Sequence, residues 1–134
     1  MGAALGAKIA APDKTVISLM TDGGFFWGCP VSALWSSQAY HAPSLYVIFN
    51  NRSYGAIRTL VEQMSESKIS DELGFESGLD IDPFIDSAMI ARSCGGYGKV
   101  VKDPADVRPV LKEALKQVCS GRPAIVDVRL PKGV

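Results

Sequence analysis

The chain has 134 residues, 47% of them hydrophobic, and its 14 basic residues balance 14 acidic ones. That length buries one core and is short for two domains, and the absence of any basic run interleaved with aromatics excludes the electrostatic footprint of a nucleic-acid binder. The longest apolar stretches are only strand-length and the N-terminus lacks the basic and apolar regions of a signal peptide, which excludes a membrane span and predicts a cytoplasmic protein. Cys29, Cys94 and Cys119 are odd in number and lack CxxC spacing, so neither a disulfide framework nor a zinc site is expected; they read as reduced, mostly buried side chains.

In chain order, residues 3–11 (AALGAKIAA) are good helix formers stopped by Pro12-Asp13, because the residue before a proline is pushed out of the helical region. A strand and loop normally feed such a helix, so Met1 is expected to be an internal residue of a longer protein. Residues 15–20 (TVISLM) predict a parallel strand covered on both faces, ending at Thr21-Asp22-Gly23-Gly24. Residues 30–40 carry Val31, Leu34, Trp35 and Ala39 at helical spacing, and Pro43 leads into a second strand over 44–49 that ends at Asn50-Asn51. A helix over 54–65 follows, then an acidic stretch over 66–82 that reads as an exposed loop. Residues 83–94 predict a helix opened by Pro83 and stopped by Gly95-Gly96, with a brief strand at 99–101. Asp103-Pro104 has the form of an N-cap followed by proline at the first helical position. The stripe Val107, Val110, Leu111, Ala114, Leu115 and Val118 makes the next helix amphipathic, and Pro109 should kink its first turns. Residues 124–130 (AIVDVRL) supply a last strand. The alternation predicts an α/β fold, an open and mostly parallel sheet with helices on both faces.

Ligands of such sheets bind beyond the carboxyl ends of the strands, and two of those ends carry polar clusters, Asp22-Gly23-Gly24 and Asn50-Asn51-Arg52-Ser53. A carboxylate at Asp22, a carboxamide oxygen at Asn51 and the main-chain carbonyl of Ser53 are ligands that an octahedral Mg²⁺ accepts. Gly23 and Gly24 allow close backbone approach to an anion. Each cluster alone is an ordinary turn or polar loop; their joint occurrence at two adjacent strand ends points to a diphosphate held through a divalent cation.

These residues resemble the motif of the thiamine-diphosphate-dependent enzymes, which is Gly-Asp-Gly, a gap of about two dozen residues, then Asn-Asn. Here residues 24–49 separate Asp22-Gly23 from Asn50-Asn51, and the likeness extends through GAALGAKIAAPDKTVISLM, NNRSYGAIR and RPAIVDVRL. The resemblance implies a thiamine-diphosphate-binding fold serving as the C-terminal domain of a 2-oxo acid decarboxylase or carboligase. That enzyme would be similar to acetolactate synthase or benzoylformate decarboxylase, with Tyr54-Gly55-Ala56-Ile57-Arg58 leaning toward the latter. It implies that Asp22, Asn51 and the Ser53 carbonyl hold Mg²⁺ or Ca²⁺, that Gly23, Gly24, Tyr54, Gly55 and Ala56 surround the diphosphate of thiamine diphosphate, and that Asn50 supports the turn. Its implied partners are a 2-oxo acid substrate, the remaining domains of the parent enzyme, and further copies in a homodimer or homotetramer. The glutamate that activates the aminopyrimidine belongs to another domain in this family, so the fragment alone is expected to be inactive.

One departure from the family pattern and one position that differs among its members stand out. Thr21 occupies the place of the usual first glycine, so either the local backbone tolerates a Cβ and a hydroxyl there or cofactor binding is weakened. Ile57 lies six residues after Asn51, where simple pyruvate decarboxylases of this family carry a catalytic glutamate, and it stands as a substrate-pocket residue or as core. Thr21 also keeps open a different class of function, a non-catalytic nucleotide- or phosphate-binding module or a structural subunit.

Other residues carry less. His41 reads as an exposed loop residue, and Arg58 as half of a surface pair with Glu62. The acidic residues Glu66, Asp71, Glu72, Glu76, Asp80 and Asp82 match no calcium-loop spacing. For Phe25, Phe26 and Trp27, lining a channel and simple packing stand as equal readings.

Overall fold

The central apolar runs become strands because each has alternate side chains to bury on both faces of one sheet. The computed structural model describes residues 1–64 and 78–132. Strands β1 (Ile17–Thr21), β2 (Leu45–Asn50), β3 (Tyr97–Val101) and β4 (Ala124–Arg129) lie in the order β1-β2-β4-β3, and every pairing is parallel. The helices are α1 (Gly2–Ala10), α2 (Asp22–Trp27), α3 (Pro30–Ala39), α4 (Gly55–Met64), α5 (Ser87–Ser93) and α6 (Pro104–Cys119). The α/β architecture expected from the alternation is the one found.

Strand β2 shows how two cores form. Tyr46 and Ile48 face Ala4 of α1, Phe25 of α2, Leu34 of α3, Ala91 of α5 and Ile125 of β4. Leu45 and Val47, one step out of phase, face Val101 of β3, Ala114 and Val118 of α6, and Val126 of β4. Each large aliphatic or aromatic side chain buried in this way contributes about 1.5–3 kcal/mol. In α6 the Asp103 carboxylate accepts from the Ala105 amide at 2.9 Å, the predicted cap, and the helix continues through Pro109.

Five expectations need correction. A helix, α2, begins at Asp22 where only a turn was foreseen, because Thr21 caps it through its side chain and offsets the poor helix propensity of Gly23 and Gly24. In α3 the buried residues are Ala33, Leu34 and Ser37, while Val31 and Trp35 face outward at 57% and 66% exposure. Helix α5 starts at Ser87, not at Pro83, because the Asp86 carboxylate accepts from the Met89 amide at 2.8 Å and so fixes the first turn. The cysteines are unpaired as expected, yet Cys29 and Cys119 are exposed.

The fifth correction is β1: expected to be covered on both faces, it lies at the end of the strand order, and among the described residues its outer face is incompletely covered. Ile17 and Leu19 are 50% and 67% exposed, and with Phe49, Val107, Leu111 and Leu115 they line an apolar groove of about 350 Å³. Among the described residues no helix is long and apolar enough to cross a membrane.

Candidate cofactor site

Parallel pairing sets Thr21 opposite Phe49, so the carboxyl ends of β1 and β2 lie side by side, as the two motifs require. The next residues, Asp22 and the turn from Asn50 to Ser53, therefore meet. Asp22 is fully buried; its Oδ1 accepts from the Gly23 amide at 2.9 Å and its Oδ2 from the Ser53 amide at 3.2 Å. Asn51 Oδ1 accepts from the same Ser53 amide at 3.1 Å. A carboxylate oxygen and a carboxamide oxygen thus converge on one point, and both are of the hard oxygen type that a divalent cation accepts. Among the described residues no group of three His, Cys, Asp or Glu forms a metal cluster, so a cation here would draw on amide and carbonyl oxygens beside the single carboxylate.

The turn is built to hold that convergence. Arg52 has φ 57°, the left-handed region that non-glycine residues seldom occupy. Asn50 Oδ1 accepts from the Arg52 amide at 3.2 Å, the supporting role expected of it. From the other side, the segment after Gly78 is laid along the turn. The Tyr54 amide donates to the Leu79 carbonyl at 2.8 Å and the Ile81 amide to the Arg52 carbonyl at 2.9 Å. Arg58 reaches Asp80 at 3.0 Å, and Lys132 reaches Asp80 and Asp82 at 3.1 and 3.6 Å. Lys132 and Arg58 hold the Asp80 carboxyl below the usual range, Lys132 contributing most. Arg58 was expected to pair with Glu62, whose side chain lies outside the described residues, as do Glu66, Asp71, Glu72 and Glu76.

Beside the turn opens a cavity of about 680 Å³ whose wall includes Thr21, Gly23, Gly24, Trp27, Asn51, Ser53, Tyr54, Gly55, Ala56 and Ile57. That volume falls within the range of small-molecule and cofactor sites. Asp22 is fully buried between two residues of this wall. The geometry divides the predicted diphosphate residues by role. A Cβ on Gly23 would come 2.5 Å from Tyr54 Cε1, so this glycine makes room for the tyrosine ring. The Gly23 and Gly24 amides already have intramolecular acceptors, Asp22 Oδ1 and Thr21 Oγ1. Gly55, Ala56 and Ile57, by contrast, form the first turn of α4, where amides lack intrahelical acceptors.

Thr21 fits without strain. Its backbone is extended (φ −87°, ψ 166°), and its hydroxyl accepts from the Gly24 amide at 3.1 Å. Ile57, 48% exposed, stands in the cavity wall and not in the core. Of the three aromatics, Phe25 is core, Phe26 packs edge-on against Phe84, and Trp27 lines the cavity. His41 is exposed in the turn before β2.

Sequence reasoning missed Asp127. This β4 carboxylate is fully buried, and it accepts from Ser87 Oγ at 2.7 Å and from Asn50 Nδ2 at 3.0 and 3.2 Å, with Arg129 at 3.4 Å. Burial pushes its pKa up and Asp22 adds to the push, while Ser87, Arg129 and Asn50 oppose it. The one available signal was an acid inside the apolar run AIVDVRL.

Comparison with known proteins gives the family. Residues 1–128 match the family model described as thiamine pyrophosphate enzyme, C-terminal TPP binding domain. Benzoylformate decarboxylase of Pseudomonas aeruginosa is 35% identical over 127 residues, covering 94% of this chain and 21% of that protein. The acetolactate synthase large subunit of Mycobacterium tuberculosis is 32% identical over 129 residues, 95% of this chain and 21% of its own. A solved thiamine diphosphate-dependent 4-hydroxybenzoylformate decarboxylase of Rhodococcus jostii superposes with a TM-score of 0.75 at 32% identity, covering 98% of this chain and 23% of that one. The chain therefore spans 21% of the length of these two curated relatives.

Proposed function

The chain belongs to the family of thiamine pyrophosphate enzymes, as their C-terminal TPP-binding domain, and from that premise we propose that it is the diphosphate- and cation-binding part of a 2-oxo acid decarboxylase or carboligase. The observation that carries this reading is the convergence of Asp22 Oδ2 and Asn51 Oδ1 on the Ser53 amide, at the edge of a cavity walled by the first turn of α4. Asp22, Asn51 and the Ser53 carbonyl would hold Mg²⁺ or Ca²⁺, and Gly23, Gly24, Tyr54, Gly55 and Ala56 would enclose the diphosphate. The α4 amides meet its negative charge, and Asp22 meets it only through the cation. Thiamine diphosphate, when bound, supplies the nucleophilic carbon and the electron sink for loss of CO₂ from a 2-oxo acid. The parent enzyme's other domains would close the site, and we place the assembly in the cytoplasm as a homodimer or homotetramer.

Cation dependence is the test. In the intact parent polypeptide, chelation of divalent ions should weaken calorimetric binding of thiamine diphosphate by about a hundredfold, and Mg²⁺ or Ca²⁺ should restore it. Equal affinity with and without the ion would refute the site. A second reading, a phosphate-binding module without catalysis, draws on the intramolecular engagement of the Gly23 and Gly24 amides. It requires inorganic diphosphate to bind as well without the cation as with it.

Substrate choice is read from Ile57. An apolar residue in the cavity wall suits a bulky or aromatic 2-oxo acid and offers no group to handle protons, so the parent is not a simple acetaldehyde-forming pyruvate decarboxylase. The benzoylformate decarboxylase among the relatives supports this lean. Ile57→Ala should lower kcat/KM for an aromatic 2-oxo acid about tenfold relative to pyruvate. Equal effects on both substrates, or efficient acetaldehyde production by the unaltered enzyme, would remove the basis of the assignment.

A further inference from the structure

Asp127 makes no contribution to the cavity wall, yet it is joined to the cation turn by an unbroken line of hydrogen bonds. Asn50 Nδ2 donates to both Asp127 oxygens, at 3.0 and 3.2 Å, while Asn50 Oδ1 accepts from the Arg52 amide at 3.2 Å. A carboxamide engaged at both ends has one allowed orientation, because a flip would set its NH₂ against an N–H and its oxygen against a carboxylate. The carboxylate is itself fixed by Ser87 Oγ at 2.7 Å, from the first residue of α5, and by Arg129 at 3.4 Å, whose guanidinium lies 5.0 Å from the Phe84 ring centre. Arg52, held in its left-handed conformation, reverses the chain so that the next amide, Ser53, points at Asp22 Oδ2 and Asn51 Oδ1.

We propose that Asp127 is a positioning residue for the cation turn, acting through Asn50; this rests on the cofactor-site reading above. Two buried carboxylates then hold the turn from opposite ends. Asp22 takes the amide of Ser53, and Asp127 takes the carboxamide of Asn50. The role is specific to orientation: Asp127 contributes no ligand, and its loss frees Asn50 to rotate and the Ser53 amide to leave the point where Asp22 and Asn51 converge. Groups of this kind, which hold ligands without being ligands, change metal affinity by about ten- to a hundredfold when removed.

A double-mutant cycle in the intact parent polypeptide tests it, with calorimetric titration of Mg²⁺–thiamine diphosphate as the readout and thermal unfolding recorded alongside. Asp127→Ala and Asn50→Ala should each weaken binding about tenfold, and the double variant should also lose about tenfold and not a hundredfold, because the two residues form one relay. Asp127→Asn keeps an acceptor for Asn50 and should return affinity to within about threefold of the original. Additive losses near a hundredfold, or original affinity in the single variants with only Tm lowered, would overturn the proposal. Should Asp127→Ala not fold, the cycle is run with Asp127→Asn, and original affinity in Asn50→Ala then overturns the relay. An unaltered protein that needs no cation for the cofactor would refute the site itself, whereas one that needs it but gives an additive cycle refutes the relay alone.

Discussion

Asp22→Ala in the intact parent polypeptide should weaken Mg²⁺-dependent binding of thiamine diphosphate by about a hundredfold or more, the largest functional loss expected of any single change in this domain. Asp22 is the one carboxylate at the point of convergence, and Asn51 and Ser53 offer only neutral oxygens, so its removal leaves the cation without a compensating charge. The change also strips the acceptor from the Gly23 and Ser53 amides, which the alanine cannot replace. Asp22→Asn separates the two effects. It keeps an acceptor for one of the two amides and so should lower Tm less than the alanine does, while binding the cation weakly for want of charge. Titration calorimetry with and without Mg²⁺ checks both variants, and an unchanged affinity in Asp22→Ala would show that the cation lies elsewhere.

Gly98→Ala should destabilise the domain by about 3 kcal/mol or more, without touching the site. A Cβ at this position would lie 2.1 Å from the Ala88 carbonyl oxygen and 2.7 Å from Ala88 C and Cα, so β3 and α5 have to separate along backbone that cannot rotate away. Separation would also disturb the bond from the Arg92 guanidinium to the Gly98 carbonyl at 3.0 Å. For a domain of this size the loss corresponds to a fall in Tm of about 10 °C. Gly6→Ala, in the open middle of α1 where a Cβ meets nothing within 4 Å, is the control and should stabilise by about 0.5–1 kcal/mol. Calorimetric unfolding of both variants decides the matter; a Gly98→Ala protein with unaltered Tm would mean that β3 does not pack on α5 this closely.

The legible parts of this protein were those whose cause is local. The runs TVISLM, SLYVIF and AIVDVRL announced strands by composition alone, although the burial expected of the first was not found, and Asp103-Pro104 announced a cap because the carboxylate and the amide it serves are two residues apart. The meeting of Asp22 with the turn from Asn50 to Ser53 was legible for a related reason: these residues sit at the ends of elements whose adjacency follows from parallel alternation. Helix α2 was hidden because Gly23 and Gly24 score as a turn, and only the Thr21 side chain in its extended backbone tips the balance. Asp127 was hidden more deeply, since its partner Asn50 is 77 residues away and the two meet only after β2 pairs with β4. The pairing of Arg58 with Asp80 likewise depends on how the segment after Gly78 is laid along the turn. In α3, helical spacing alone cannot say which stripe faces inward, and the small residues Ala33 and Ser37 are buried because α3 lies close against its neighbours.

The open face of β1 bears on how the chain behaves as a colloid. Formal net charge at pH 7 is zero, so in a separately expressed polypeptide nothing electrostatic keeps copies apart near neutrality. Strand β1 meanwhile presents a hydrogen-bonding edge and half-exposed Ile17 and Leu19 beside an apolar groove, a template on which another extended chain can pair. For such a polypeptide self-association is the expected ceiling on concentration. Moving the buffer a unit or two away from the isoelectric point of about 6.6 raises that ceiling without changing a single residue.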